Sequence, residues 1–160
     1  MIFCAVLAKI PERGGQQCKG FPRRELDSME YKTEIKVRGY HADFYGHVNN
    51  ARYLEFFEED RWAHLEAKID LKKWAKLGIV FLVVNINVNY RRAVPVGQTL
   101  KVGTSLEKIG NRSVVLKQEI LLKETGDVAA DALVTFVITD KSGKAVTMEG
   151  DVLQEIEKLR

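Results

Sequence analysis

The 160-residue chain is 46% hydrophobic and 29% charged, a composition typical of a soluble globular protein with one domain. Its formal net charge is +3, and the first 28 residues, with five bases and three acids, supply +2 of it. Acids and bases alternate through the remainder, so the clustered basic face of a nucleic-acid binder is missing and no nucleic-acid partner is expected. No apolar stretch reaches the roughly 18–20 residues that a membrane span needs. With no export signal either, the sequence predicts a cytoplasmic protein without a membrane partner.

The amino-terminal leader, residues 1–28, is expected to lie outside the folded domain. It is rich in Gly, Pro, Gln and charge without periodicity, which predicts a disordered or loosely docked tail. Cys4 and Cys18 both lie in it, and such a lone pair indicates neither a disulfide framework nor a metal site. Because a strand pattern begins abruptly at Met29, an alternative is that Met29 is the physiological start and the leader is an artefact of gene prediction.

A strand and a long helix follow the leader. From Tyr31 to Arg38 apolar and charged residues alternate, which is the period of a half-exposed strand. A loop from Gly39 to Val48 leads to helical periodicity that starts at Asn49 or Asn50, and Asn is a good N-cap.

The long helix has one apolar side. At 100° per residue this side is formed by Tyr53, Leu54, Phe57 and Leu65. Arg61 and His64 also lie toward this apolar side, so the carboxyl-terminal end of the helix is expected to meet a polar partner or another subunit. For these two side chains, a partly buried polar pair is favoured over a catalytic role.

After a short helix from Asp70 to Leu77, ended by Gly78, the pattern becomes that of strands. Between Ile79 and Tyr90 apolar residues alternate with Asn85, Asn87 and Asn89. Asn is depleted in strands, so these residues form either a solvated face or a polar interface or cleft lining.

Three further strands are predicted at residues 99–108, 113–123 and 128–139, separated by turns at "IGNRS" and "TGD". The predicted order is strand, long helix and a meander of four strands, then a helical tail at residues 151–160. This predicts an α+β fold in which a curved antiparallel sheet of about five strands wraps around one long helix. Such a sheet has open edges, so dimerisation is expected.

The order of these elements resembles that of hotdog-fold thioesterases of the 4-hydroxybenzoyl-CoA thioesterase-like family. The residues that carry the resemblance are Asp43, Gly46, Val48, Tyr53, Leu54 and Phe56. The segments "VRGYHADFYGHVNNARYLEFFEEDRW" and "VVNINVNYRRAVPVG" are similar to a bacterial subgroup, the long-chain acyl-CoA thioesterases linked to fatty-acid β-oxidation. The likeness runs from Glu30 to about Gly150, which gives a hotdog domain at residues 29–150.

The resemblance implies hydrolysis of medium- to long-chain acyl-CoA at sites between the protomers of a homodimer or homotetramer. It implies no metal ion and no organic cofactor. It places the loop carboxylate of the family on Asp43, and the helix-start amide that faces the thioester oxygen at Asn50, within one residue. Asp43 is then a general base or a nucleophile that forms an acyl anhydride. The alternative from residue types alone is that Asp43 only caps a turn.

Several neighbours join the candidate site. Asn49 and Asn50 are both plausible N-caps, and since one cap suffices, the other side chain is free to orient a water molecule. His47 is a candidate acid or base, although a lone loop histidine is more often structural. Tyr45 and Gly46 are expected to shape the loop, Gly46 through a positive φ angle or a close approach.

The remaining candidates bind the two ends of the substrate. Tyr53 lies on the apolar side of the helix, along which the acyl chain is expected to lie. Arg91 and Arg92 follow the Asn-rich strand, and basic residues at strand ends can bind phosphates. Family position favours Arg112 and Ser113 for the nucleotide end of CoA.

Three alternatives stay open at this point. A second hotdog thioesterase design uses a glutamate on the helix, which makes Glu58 the next candidate, although Glu58 and Glu59 are expected to be solvated. A hotdog enoyl-CoA hydratase also uses an Asp and a His, at another spacing. A non-catalytic module that binds acyl-CoA is the third.

Overall fold

A computed structural model describes residues 29–160, which form one five-stranded antiparallel sheet and three α-helices. The elements are β1 Glu30–Lys36, α1 Asn50–Lys68, α2 Leu71–Leu77, β2 Val80–Tyr90, β3 Thr99–Ile109, β4 Ser113–Leu122, β5 Val128–Thr139 and α3 Gly150–Glu157. The predicted α+β class, with five strands and one long helix, is confirmed. The leader at residues 1–28, with Cys4 and Cys18, lies outside the described residues. Helix α3 falls where the helical tail is predicted, and Ile156 and Leu159 at that end are buried in the common core.

The strand order in the sheet is β1-β3-β4-β5-β2. The predicted four-strand meander is therefore wrong, because β2 pairs with β5 and not with β3. The free edge of β3 is taken by β1, which pairs with it from Glu30 to Lys36. The chain between β2 and β3 instead crosses beneath the helix start, where the Val48 amide donates to the Val94 carbonyl at 2.9 Å. Strands β1 and β2 are thus the two edges of the sheet.

Helix α1 packs mainly against β1, β3 and β4. Its buried residues follow steps of three and four: Tyr53, Phe56, Phe57, Asp60, Arg61, His64 and Leu65. The assignment of Leu54 to the apolar side is wrong, since Leu54 is 37% exposed and Phe56 is buried in its place. Because the helix lies over the β1 side of the sheet, much of the inner face of β2 is left uncovered.

Strand β2 separates its apolar and Asn residues onto two faces. Asn87 and Asn89 pair with Leu133 and Asp131 on the outer face of β5, whereas Val88 pairs with Ala132, which is buried. The Asn89 amide nitrogen donates to Asp131 at 2.8 Å. The Asn side chains therefore lie on the solvated face away from the helix and do not line a cleft.

A buried hydrogen-bond chain joins α1 to the sheet. The Arg61 guanidinium donates to Gln118 Oε1 at 2.9 Å, Gln118 Nε2 donates to Thr104 Oγ1 at 2.7 Å, and the Thr104 hydroxyl donates to Asp60 Oδ2 at 2.6 Å. Gln118 Nε2 also lies 2.9 Å from the Phe57 carbonyl. Burial raises the pKa of Asp60 above its usual value, while the Thr104 hydroxyl opposes this. These buried polar side chains of α1 therefore find their hydrogen-bond partners within the same protomer, and no second subunit is needed for this.

His64 contacts the carboxyl-terminal end of the chain. Its Nε2 lies 3.0 Å from the Leu159 carbonyl, and the side chain is buried. Burial lowers the pKa of His64 below its ordinary value, and Lys68 and Lys32 add to this, while the Leu159 carbonyl and Asp60 oppose it. His64 is therefore held neutral as the hydrogen-bond donor to Leu159.

The Thr104→Val variant is expected to lower the free energy of unfolding by about 1–3 kcal/mol, because it removes one donor to the buried Asp60 carboxylate, leaving Thr33, and also an acceptor of Gln118. Thr135→Val in β5 is the matched control, since Thr135 is half-exposed and its hydroxyl makes no hydrogen bond within residues 29–160. Urea denaturation measures both. Equal stabilities for the two variants would contradict a stabilising role of the buried hydrogen bonds between α1 and the sheet.

Stability is expected to fall as the pH drops below about 6.5, the ordinary pKa of histidine, because the unfolded chain then takes up a proton that folded His64 refuses. The loss continues down to the lowered pKa of folded His64. His64→Gln keeps an amide donor for Leu159 without titrating. Between pH 7.5 and 5.5 the parent should therefore lose more free energy of unfolding than this variant; equal losses in urea titrations would contradict the assignment.

Candidate active site

Residues 43–47 form a tight turn just before α1. The Asp43 amide donates to the His47 carbonyl at 2.8 Å, and the Gly46 amide donates to the Asp43 carbonyl at 3.1 Å. Gly46 has φ = 80°, which a residue with a side chain adopts only with strain, so the predicted reason for this glycine is confirmed.

The Asp43 carboxylate caps this turn with one oxygen. Oδ1 accepts from the Tyr45 amide at 2.8 Å and from the His47 amide at 3.4 Å. Among the residues that the structure describes, no hydrogen bond reaches Oδ2. The capping alternative is thus correct for Oδ1, and Oδ2 has no hydrogen-bond partner in this part of the chain.

The first turn of α1 leaves one amide unpaired. Asn49 is the N-cap: its side chain accepts from the Ala51 amide at 2.9 Å and its carbonyl accepts from the Arg52 amide at 2.9 Å. The Asn49 amide donates to the His41 carbonyl at 2.9 Å. The amide of Asn50, the first helical residue, has no acceptor within the described part of the chain. Since unpaired amides at a helix start carry partial positive charge, this N–H can stabilise an anion.

A groove of about 1240 Å³ lies between this turn, the helix start and the end of β2. Its walls include predicted site residues: Asp43, Tyr45, His47, Asn50, Tyr53 and Arg91. Gly46 and Asn49 shape the backbone beside the groove but do not line it. The residues that the sequence places together in the loop and helix start thus also meet in space.

Tyr90 and Phe44 line the groove and were missed from the sequence, whereas Arg92 lines it beside Arg91, with which it was named as a phosphate binder. The Tyr90 hydroxyl donates to the Asn50 carbonyl at 3.1 Å, and its ring meets that of Tyr53 edge-on at 5.4 Å. The available signal was an aromatic residue at the end of the Asn-rich strand, but the alternation there indicates only an apolar face.

The groove holds ionisable groups of four kinds: a carboxylate, an imidazole, guanidinium groups and phenols. Arg91 pairs with Asp131, whose carboxylate raises the pKa of the guanidinium, and Arg92 pairs with Asp127 at 3.0 Å. Burial raises the pKa of Tyr53 to about 12, so its hydroxyl stays protonated at neutral pH. Both arginines are exposed, which leaves their remaining N–H groups available to anions.

Arg112 and Ser113 lie at the other end of the sheet. Ser113 pairs with Val137 of β5, whereas Tyr90 at the groove pairs with Ala130. Val137 and Ala130 are seven residues apart along β5, which corresponds to about 23 Å. Within one protomer the structure therefore does not bring Arg112 and Ser113 to the groove.

Glu58 and Glu59 are both exposed and lie outside the groove, as expected of solvated helix residues. Within residues 29–160, no three His, Cys, Asp or Glu side chains are grouped so as to hold a metal ion. None of the helices in this part of the chain has the length and apolar character to cross a membrane.

A sheet wrapped around one long helix, with a carboxylate turn and an unpaired amide at the helix start, defines a hotdog-fold protein of the thioesterase type. The family model of the thioesterase-like superfamily matches residues 37–156. The chain belongs to this superfamily, and the resemblance seen in the sequence is confirmed.

Individual relatives agree with the family match. The long-chain acyl-CoA thioesterase FadM of Escherichia coli strain K12 is 46% identical over 129 residues, which cover 80% of this chain and 98% of FadM. The crystal structure of the probable thioesterase YbaW from Escherichia coli has a TM-score of 0.77 at 46% identity, covering 81% of this chain and 98% of that one. The DHNA-CoA thioesterase of Staphylococcus aureus shares the fold, with a TM-score of 0.69 at 24% identity over 79% of this chain and 85% of that one.

Proposed function

We propose that this protein hydrolyses medium- to long-chain acyl-CoA to free fatty acid and CoA. The observation that carries the proposal is that Asp43, with one carboxylate oxygen uncommitted, and the unpaired amide of Asn50 line the same groove. The name of the relative FadM, a long-chain acyl-CoA thioesterase at 46% identity, supports the substrate class.

Each group in the groove answers one need of thioester hydrolysis. The carbonyl carbon is already electrophilic, so the reaction chiefly requires a delivered nucleophile and stabilisation of the anion that forms on oxygen. The Asn50 N–H, at the positive end of the α1 dipole, serves the anion. Asp43 Oδ2 serves the nucleophile.

Two routes use Asp43 Oδ2. As a general base, Asp43 takes a proton from water while the water oxygen adds to the carbonyl; collapse of the anion then breaks the C–S bond and releases CoA as the thiol. As a nucleophile, its oxygen forms an acyl anhydride and displaces CoA, and water then hydrolyses the anhydride. His47 lines the same groove, and in this proposal it relays a proton to the leaving sulfur.

The groove walls fit an acyl chain. Phe44, Val48, Tyr53 and Tyr90 supply apolar and aromatic surface beside Asp43. A volume of about 1240 Å³ exceeds the usual range of pockets for small ligands, in line with a long substrate.

The edge strand β2 supports assembly into a homodimer. It has 11 residues, pairs with β5 on one side only and exposes large apolar side chains, namely Val80, Leu82, Val83, Val84, Ile86 and Tyr90. An exposed edge of this length is an aggregation hazard that pairing with a second subunit removes. A two-fold axis normal to the sheet would pair β2 with the β2 of a second copy in antiparallel fashion, giving a continuous sheet with both helices on one face.

This dimer would give Arg112 and Ser113 a place at the site. Antiparallel pairing sets the Val80 end of one β2 beside the Tyr90 end of the other, and the β3–β4 hairpin lies at the Val80 end. The partner's Arg112 would therefore approach the groove from across the interface, where its guanidinium can bind CoA phosphates. Tetramer formation and a cytoplasmic location stay predictions.

The Asp43→Asn variant is expected to lose at least about a hundredfold in kcat on long-chain acyl-CoA, the scale of a positioned acid or base. Asn keeps Oδ1, so the turn cap survives. Release of free thiol, followed with a disulfide reagent, measures the rate across a panel of acyl-CoA chain lengths. Asp70→Asn is the matched control, because Asp70 caps α2 through the Lys73 amide at 2.9 Å and lies away from the groove.

Each other outcome of this assay has a separate meaning. Full activity in Asp43→Asn would remove Asp43 from the mechanism and make Glu58 the next residue to test. Loss of enoyl absorbance without thiol release would identify a hydratase. Tight acyl-CoA binding by the parent without turnover would identify a binding module.

The Val84→Lys variant is expected to convert the dimer to a monomer, because two lysines near the two-fold axis would repel each other across the paired edge. Light scattering should show the molar mass halved, and KM for acyl-CoA should rise as the partner's Arg112 is lost. Leu77→Lys on α2, where Leu77 is 54% exposed, places the same charge off the sheet. An unchanged mass for Val84→Lys would contradict assembly through β2.

A further inference from the structure

We infer that the Tyr90 hydroxyl is a positioning group that fixes the Asn50 amide toward the thioester oxygen. The inference rests on the proposed function and adds a residue from outside the predicted loop and helix start. Its basis is the hydrogen bond from Tyr90 to the Asn50 carbonyl at 3.1 Å, a contact between two elements 40 residues apart in sequence.

The first turn of a helix needs such an anchor. Its amides have no partners within the helix, and helix ends fray. A donor that stabilises a developing oxyanion acts only if it is held within a fraction of an ångström of the productive geometry. An unpaired amide on a frayed turn would be free to donate to the oxyanion, but it would not be held in the geometry that stabilises it.

Two hydrogen bonds to other segments of the chain flank the Asn50 amide. On the preceding side, the Asn49 amide donates to the His41 carbonyl at 2.9 Å, which ties the cap to the loop. On the following side, the Asn50 carbonyl accepts from Tyr90, which ties the first helical residue to the end of β2. With both neighbouring groups fixed to separate elements, the direction of the N–H between them is fixed as well.

The Tyr90 ring is itself held in place. It meets the Tyr53 ring edge-on at 5.4 Å, and Tyr53 is only 3% exposed within the core. Because the hydroxyl donates to backbone, Tyr90 acts through Asn50 rather than on the reacting atoms. Since Tyr90 ends β2, the strand proposed at the subunit interface also becomes the support of the oxyanion donor.

The test compares the parent with Tyr90→Phe, which keeps the ring and removes the hydroxyl. Loss of one hydrogen bond that orients the donor is expected to lower kcat about tenfold and to leave KM within about twofold. The affinity for an S-alkyl-CoA, a thioether without the carbonyl oxygen, should not change. Tyr40→Phe is the matched control: Tyr40 is 73% exposed, and its hydroxyl makes no hydrogen bond within the described residues.

Amide hydrogen exchange gives a readout that is independent of turnover. Exchange of the amides at residues 51–54 should accelerate in Tyr90→Phe and not in Tyr40→Phe. Unchanged exchange, an unchanged kcat, or a fall in kcat matched by weaker S-alkyl-CoA binding would each overturn the inference. If the parent releases no thiol from any acyl-CoA, the proposed function fails, while the exchange measurement still decides whether Tyr90 orders the turn.

Discussion

Helix α1 is tied to the sheet by a buried hydrogen-bond chain, and the position of the candidate site depends on it. The chain runs from Arg61 through Gln118 and Thr104 to Asp60, so a buried cation and a buried anion are joined through two neutral groups. Buried charges cost several kcal/mol each unless they are satisfied, so sliding the helix by one turn, about 5.4 Å, would leave both without partners. This fixes where Asn50, ten residues before Asp60, meets the rest of the fold.

At the helix start, structural and chemical tasks fall to neighbouring atoms. Asn49 takes the capping role, and the amide of Asn50 is thereby left unpaired. Asp43 lines the groove; its Oδ1 accepts from the turn amides, and its Oδ2 has no hydrogen-bond partner within the described residues. The capping interpretation and the proposed catalytic role of this segment are therefore compatible, because they use different atoms.

The local sequence pattern was sufficient to predict the helices and strands, but it was insufficient to predict how the strands pair in the sheet. Alternation predicted the first strand and the Asn-rich strand, and the start of α1 was predicted at Asn49 or Asn50, because these signals arise from neighbours in sequence. The pairing of β2 with β5 could not be predicted, since alternation says which residues form a strand but not which edge it joins. Leu54 was misplaced because Leu54 and Phe56 sit near the border of the apolar side. Within the site, the loop residues were identified through the family resemblance, whereas Tyr90 joins the site through a contact with Asn50 that leaves no periodic signal.

Strand β2 has three surfaces, and each has a different environment. Its outer face carries Asn87 and Asn89, whose amides keep that face solvated and weaken its tendency to aggregate. Its free edge is the part that a second subunit would cover. Its inner face ends in Tyr90, which reaches the helix start. Apolar residues in place of the Asn residues would have a higher strand propensity. They would also add an exposed apolar face beside an open edge, which favours aggregation. The unusual composition of β2 therefore follows from its position at the edge of the sheet.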